Sequence, residues 1–325
     1  MKALFLGNVA ADTAEGIRAE LPPGLAVEIV ADPHDLARSP AAASDADILV
    51  SNHWRADYPP APRLRLVQSV ATGIELFDLA ALPPGAAICN AFGHQTAIAE
   101  YVLMTMLVWS HRFREIEGEF RTRSSWAASW VQSGAPHGEI RGLTVGIIGL
   151  GRVGYEVARR AAVFGCRVIA ANRSPRAPGD GVERIFPLGE LDRMLPECDV
   201  VVVASAQGPQ TEGLIDRRRL GLLRRSAFLI NIARGVIVDE AALYAALRDE
   251  TIAGAAIDVW WQYPDAAEPE RRPSRFPFHE LPNVIMTPHC SGWTQGMVRR
   301  RWDEIADNIR RFVAGEALIN VAAMT

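Results

Sequence analysis

Residues 144–154 read Thr-Val-Gly-Ile-Ile-Gly-Leu-Gly-Arg-Val-Gly, an apolar run of strand length that breaks at Gly149 and continues into a helical pattern ending near Gly165. No other feature limits the fold so strongly. Glycines at 149, 151 and 154, set between a strand and a helix, permit a tight turn, let the backbone approach a diphosphate, and let helix and strand pack closely. The amides of Arg152 and Val153 then lie at the positive end of the helix, where they face phosphate. In this strand–turn–helix setting the glycines imply a dinucleotide-binding unit, against the plainer alternative of a structural turn.

The pattern around this motif repeats. Apolar strand candidates at 144–149, 167–172, 199–205, 227–233, 255–259 and 283–287 alternate with helical stretches, which describes a doubly wound parallel sheet. An earlier series at 2–7, 26–30, 47–51, 64–70 and 87–90 is punctuated by Pro-Pro-Gly and Pro-Pro turns. Near-continuous apolar strands of this kind belong to parallel sheets covered on both faces. A chain of 325 residues exceeds what one core usually serves. The expected architecture is therefore α/β with two domains, one from 1–96 together with 290–325, the other from 97–289. The segment 97–113 is apolar on nearly every side and must be buried in a core or at a subunit contact. The polar stretch up to Gly142, with Trp126 and Trp130, reads as a connecting arm, and a helix over about 294–314 is long enough to return to the first domain.

Composition narrows the function classes. With 34 Lys+Arg against 38 Asp+Glu and a net charge of −4, the chain lacks the basic field of a nucleic-acid reader. The basic runs at 217–219 and 299–301 are solvated helix faces. No stretch reaches the ~18 apolar residues of a membrane helix. Four scattered cysteines have neither disulfide-framework nor zinc spacing, and no metal site is expected. A secretory signal is not evident, so the expected location is the cytoplasm.

The second strand of the nucleotide unit ends at Asn172-Arg173-Ser174. An NAD site places a carboxylate here for the ribose hydroxyls. An amide with Arg173 to pair a 2′-phosphate and Ser174 to donate to it favours NADP over NAD, the alternative being that Arg173 only stacks on adenine.

Further motifs resemble the D-isomer-specific 2-hydroxyacid dehydrogenases: Asn231-Ile232-Ala233-Arg234-Gly235, Gly254-Ala255-Ala256-Ile257-Asp258-Val259, and the run at 282–289 ending in Thr287-Pro288-His289. With Ala71-Thr72-Gly73-Ile74-Glu75 and Ile98-Ala99-Glu100, the resemblance spans nearly the whole chain in order. It implies a flavodoxin-like substrate domain and a Rossmann domain with the active site in the cleft between them, a homodimer built through the long helix after the hinge, and hydride transfer between NAD(P) and a small 2-oxo or 2-hydroxy acid. Glyoxylate, hydroxypyruvate or a bulkier analogue fits. The resemblance makes Arg234 the clamp on the substrate carboxylate and His289 the acid–base, and places substrate at the backbone of Ala71, Thr72 and Gly73. Asp258 would hold the nicotinamide amide. Ala204, Thr211, Ile232, Ala233, Arg234, His289 and Gly292 complete the implied cofactor contacts, and Trp54 and Ser291 the implied substrate contacts.

Two positions depart from the family pattern. Tyr263 stands where a Glu pairs with the catalytic histidine, and a phenol cannot stabilise imidazolium as a carboxylate does. His94 stands where relatives place Asn, either sharing proton handling or shaping the pocket. Formate dehydrogenases of the same superfamily also lack the Glu, so formate-like oxidation is one alternative. A nucleotide-sensing binding protein of this fold is another. Trp54, Trp260, Trp261, Tyr263 and Trp293 are expected near the pocket.

Overall fold

The computed structural model describes residues 1–265 and 267–325 and forms two compact units, Met1–His94 with Thr294–Thr325, and Gln95–Trp293. The boundaries fall at His94 rather than 96, and at Thr294 rather than 290. The first shifts because the helix Gln95–Ser110 belongs entirely to the second core. The second shifts because Asp258 of that unit holds the amides of Cys290 and Ser291.

In the first unit the strands are β1 (Lys2–Leu6), β2 (Ala26–Val30), β3 (Ile48–Ser51), β4 (Leu66–Ser69) and β5 (Ala87–Cys89). They lie parallel in the order β2-β1-β3-β4-β5, the flavodoxin-like order. A strand at Val321–Met324 pairs antiparallel with β5 and closes that edge. It escapes a hydropathy reading because most of it is exposed. The amphipathic helix Gln295–Ala314 buries Ile305, Ala306 and Ile309 beside Phe5, Ile48 and Leu66. Thr294 caps it by accepting the Met297 amide at 3.1 Å, a contact whose loss costs about 1 kcal/mol. Asn308, buried on this helix, donates to Gln68 Oε1 at 2.7 Å and exchanges bonds with Ile319, so helix, sheet and C-terminal segment are tied by satisfied polar groups.

The second unit carries β6 (Thr144–Ile148), β7 (Arg167–Asn172), β8 (Arg184–Pro187), β9 (Val200–Val203), β10 (Phe228–Asn231), β11 (Gly254–Ile257) and β12 (Val284–Met286). Their order, β8-β7-β6-β9-β10-β11-β12, is the doubly wound arrangement with its reversal between β6 and β9. The edge strand β8 was not expected, since it is short, buries only Phe186 and ends in proline, a residue suited to edges. Helix Gln95–Ser110 buries most of its length in this core, leaving Glu100 and Met104 exposed. The polar stretch after it forms the helix Phe113–Arg123, which buries no residue, and Trp130 beyond it is 89% exposed. Among the described residues no helix is long and apolar enough to cross a membrane.

Candidate active site

The glycine turn leaves β6 at the point where strand order reverses. Gly149 has φ +97°, and a Cβ there would lie 2.5 Å from Ser205 Cα. A Cβ on Gly154 would strike Gly149 O at 2.2 Å, whereas one on Gly151 would meet nothing within 4 Å. The helix Arg152–Val163 starts without a side-chain cap, and its N-terminus is the end that favours an anion. Beside the turn, Ser205 Oγ is buried without a hydrogen-bond partner. An open cradle, a helix start without a side-chain cap and an orphaned hydroxyl together fit a bound dinucleotide diphosphate.

Asn172 is a strut of this turn. Its Oδ1 accepts the Leu150 amide at 3.2 Å and its Nδ2 donates to Ser174 O at 2.9 Å. Arg173 and Ser174 are exposed at the strand end. A third residue of this loop, Arg176, donates to Leu150 O at 3.0 Å and lies over the Tyr155 ring at 5.4 Å. Arg176 and Ser205 carry no recognised motif. Their signal was positional, at the carboxyl ends of β7 and β9. Thr211 is buried and donates to Ala206 O and Gly208 O, so its hydroxyl shapes the loop after β9. Ile232 and Ala233 are nearly buried at the end of β10, and Ala204 and Gly292 are partly exposed.

The acid–base group rests on a dense polar network at the ends of β11 and β12. Asp258 is wholly buried; it accepts Thr287 Oγ1 at 2.6 Å, Cys290 N at 2.9 Å and Ser291 N at 3.0 Å. Three of roughly four acceptor positions on this carboxylate are thus filled by the protein. Tyr101 OH lies 2.8 Å from Thr287 Oγ1 and must donate to it, because Thr287 donates to Asp258. Trp260 Nε1 holds Thr287 O at 2.8 Å. The braced loop presents His289 in a left-handed backbone conformation, φ +56°. Tyr263 OH stands 2.9 Å from His289 Nδ1 and accepts the Trp260 amide at 3.2 Å. Burial pushes the imidazole below its ordinary pKa; Asp258 opposes this and Arg234 adds to it. Burial likewise raises the Tyr263 phenol. Glu268 is engaged with Arg271.

Arg234 follows β10 and is exposed, with Nη1 on Ala233 O at 2.7 Å. A Cβ on Gly235 would lie 2.3 Å from Trp260 O, so this turn stacks directly on the segment leading to Tyr263. Arg234, Tyr263, His289 and Asp258 therefore form one constellation. Ser291 is nearly buried, its amide on Asp258.

In the first unit, Ser69 Oγ accepts the Ala71 amide and donates to Gly73 O, fixing the turn after β4. Thr72 Oγ1 donates to Ala91 O at 3.0 Å and lies 3.3 Å from His94 Nδ1. Trp54 does not line a pocket: it is 1% exposed and packs edge-on against Tyr58 within the core. Its neighbour His53 sits where this sheet reverses, with Nδ1 2.6 Å from Asn52 Oδ1 and Nε2 2.7 Å from Tyr58 OH. Trp260 and Trp261 are also packing residues, stacked around Phe278.

A doubly wound dinucleotide sheet with arginine after β10 and histidine after β12, and the bracing Asp258 after β11 between them, defines a nicotinamide-dependent oxidoreductase. Residues 103–291 match the family model described as D-isomer specific 2-hydroxyacid dehydrogenase, NAD binding domain. The chain is 33% identical over 267 residues to the glyoxylate reductase of Thermococcus kodakarensis, covering 80% of this chain and 76% of that one. It is 32% identical over 278 residues to D-3-phosphoglycerate dehydrogenase of Mycobacterium leprae, covering 85% of this chain but only 48% of that relative, about half its length. A D-isomer specific 2-hydroxyacid dehydrogenase family protein from Aeromonas salmonicida superposes with TM-score 0.82 at 25% identity, covering 99% of this chain and 98% of that one. The chain belongs to the D-isomer specific 2-hydroxyacid dehydrogenase family, NAD(P)-dependent oxidoreductases of CH–OH donors.

Proposed function

We propose that this protein reduces a small 2-oxo acid of the glyoxylate or hydroxypyruvate class with NADPH. The observation that carries the reading is the clustering of Arg234, Tyr263 and His289 on one braced set of strand ends. Arg234 grips the substrate carboxylate, a task suited to a permanently charged planar fork. His289 exchanges the proton on the substrate oxygen. In the first unit, the turn at Thr72 and Gly73 offers backbone donors for a carboxylate, the Ala71 amide being held by Ser69 Oγ. When bound, the nicotinamide supplies the hydride; the protein's part is orientation, charge and proton handling.

Small substrates are favoured because Trp54, Trp260 and Trp261 are packing residues, which leaves Tyr263 and Trp293 as the exposed aromatics of the five expected near the pocket. The name of the Thermococcus relative supports the same class. Exposed Arg173 and Ser174, with Arg176 nearby, support NADP over NAD. Asp258 is wholly buried, so its proposed contact with the nicotinamide amide requires the Cys290–Ser291 loop to open around its remaining acceptor position. His94, against Thr72, shapes the substrate side. The exposed apolar side chains of Phe113, Phe120, Trp126 and Trp130 support a homodimer.

Oxidation of NADPH and NADH followed at 340 nm with glyoxylate, hydroxypyruvate and larger 2-oxo acids tests this reading. Turnover with NADPH preferred is the expected result. Silence on every 2-oxo acid would overturn it. The neutral partner on His289 favours a second reading, formate-like oxidation that releases no alcohol proton, and formate in the reverse assay separates the two.

A further inference from the structure

We propose that Tyr263 is a positioning residue that fixes His289 as the neutral imidazole with its proton on Nε2, and refills that proton through Nδ1. This rests on the 2-oxo acid reading above. The geometry starts at the Trp260 amide, which can only donate and does so to the Tyr263 oxygen at 3.2 Å. The phenolic hydrogen is then directed elsewhere, and His289 Nδ1 is the acceptor at 2.9 Å. With the Trp260 amide already donating to the oxygen, we assign the phenolic hydrogen to His289 Nδ1, and an imidazole that accepts at Nδ1 carries its proton at Nε2.

The surrounding groups agree with an uncharged ring. Arg234 from the end of β10 disfavours a second proton on His289. Asp258, from the end of β11, favours one, but its oxygens already hold Thr287, Cys290 and Ser291. Cys290, the next residue, is a thiol raised above its ordinary pKa by burial and Asp258, and so adds no charge. Tyr101, behind Thr287, is a phenol pushed up to about 12. Tyr263 itself is raised, so it remains a phenol able to donate.

The proton path follows. Once the carbonyl carbon has received hydride, the π-electron pair resides on oxygen, which takes the proton from Nε2. Nδ1 takes the phenolic proton in the same passage, and the imidazole ends neutral again with its proton on the other nitrogen. The phenolate left behind is held by the Trp260 amide and the charge of Arg234, then takes its proton back from Nδ1 as Nε2 receives one from water, which restores the starting form of both rings. A carboxylate at 263 would instead require imidazolium, whose supply falls as pH rises past its pKa. With Tyr263 the supply stays level over about pH 6 to 8.

Long-range proton–nitrogen spectra of the ¹⁵N-histidine-labelled full chain test the assignment without turnover, the His289 signals being identified by their loss in His289→Gln. Expected is a neutral ring protonated at Nε2 near pH 7, with the preference lost in Tyr263→Phe. A ring protonated at Nδ1, or identical spectra for wild type and Tyr263→Phe, would overturn the proposal. This readout needs only wild type if the variant fails to fold, and it judges the proposal even if no 2-oxo acid reacts. With glyoxylate as probe, wild-type kcat should be level from about pH 6 to 8, while Tyr263→Phe should fall at least about tenfold over that span with KM unchanged. Parallel pH profiles for the two proteins would count against it equally.

Discussion

The carboxylate of Asp258 receives the backbone amide of Cys290 at 2.9 Å, and in doing so fixes the residue before it, His289, in a left-handed conformation. A non-glycine residue rarely holds such a backbone unless its surroundings impose it. Here Asp258, Thr287, Tyr101 and Trp260 impose it together, and the acid–base group is aimed by a buried network rather than by its own rotamer. Asp258 therefore has a structural role in addition to the proposed cofactor contact.

Replacing Asp258 with Ala leaves the Cys290 and Ser291 amides and the Thr287 hydroxyl without an acceptor, at a cost of about 2–4 kcal/mol. Hydrogen exchange should rise sharply over residues 287–292 while the strands β6 and β9 keep their protection. Uniform destabilisation across the unit would contradict a local bracing role.

Arg234 donates to its own neighbour, Ala233 O, and is exposed. Its removal should therefore spare the fold. For Arg234→Ala we expect a loss of kcat/KM of about 10²-fold or more on 2-oxo acids, with cofactor affinity and melting temperature little changed. Arg234→Lys should recover only part, since a point charge cannot fork a carboxylate. Steady-state kinetics with a cofactor fluorescence titration decide the matter, and an unchanged rate would remove the clamp assignment.

Much of this was legible in the sequence because the relevant signals are local. The glycine spacing and the apolar runs set β6, β7 and their helix almost to the residue, and the order of motifs pointed to Arg234, Tyr263 and His289. What escaped was decided by partners distant in sequence. Trp54 looked like a pocket wall because aromatics near strand ends often are, yet burial beside Tyr58 and Phe77 claims it for the core. The bonds from Asn172 to Leu150 and Ser174, which brace the turn, leave no pattern in the sequence. Ser205 and Arg176 were silent because a lone serine or arginine has no periodicity, and β8 because a short exposed edge strand has almost no apolar pattern.

Arg176 lies beside the glycine turn, and Arg173 is exposed at the end of β7. Cofactor choice should depend on both. The pair Arg173→Ala with Arg176→Ala should weaken NADPH by about 2–4 kcal/mol, the scale of losing charge-assisted bonds, while NADH changes far less. Titrations of the two cofactors at matched ionic strength measure this, and an equal loss for both would mean that the arginines serve adenine or the turn rather than a 2′-phosphate.

A carboxylate at 263 would face His289 Nδ1 and raise its pKa, because an opposite charge at hydrogen-bond distance favours imidazolium. Tyr263→Glu should then speed reduction of 2-oxo acids near pH 7, because imidazolium is a far stronger proton donor than the neutral imidazole of wild type. The same variant should lose rate as pH climbs through the raised pKa, a limb absent from wild type. No gain at pH 7, in a variant that folds and binds cofactor, would count against a role for Tyr263 in setting the charge of His289.

Stability should also record these rings. Burial lowers the pKa of both His53 and His289 below the ordinary 6.5, so between the lowered value and 6.5 the unfolded chain binds more protons than the folded one. Stability then rises with pH through that window, is complete above it, and is lost as pH falls through it. His53 shows why the folded state resists the second proton: Asn52 Oδ1 takes the Nδ1 hydrogen at 2.6 Å, leaving Nε2 to accept from Tyr58 OH at 2.7 Å. Protonation would turn that accepted bond around inside a half-buried cluster next to Trp54. Calorimetry should therefore show a melting temperature that drops between about pH 7 and pH 5, above the range in which ordinary carboxylates titrate. The drop should be smaller in His53→Gln, which keeps a polar side chain there but cannot take up the proton, and an equally steep drop in that variant would exclude His53 as a source of the acid sensitivity.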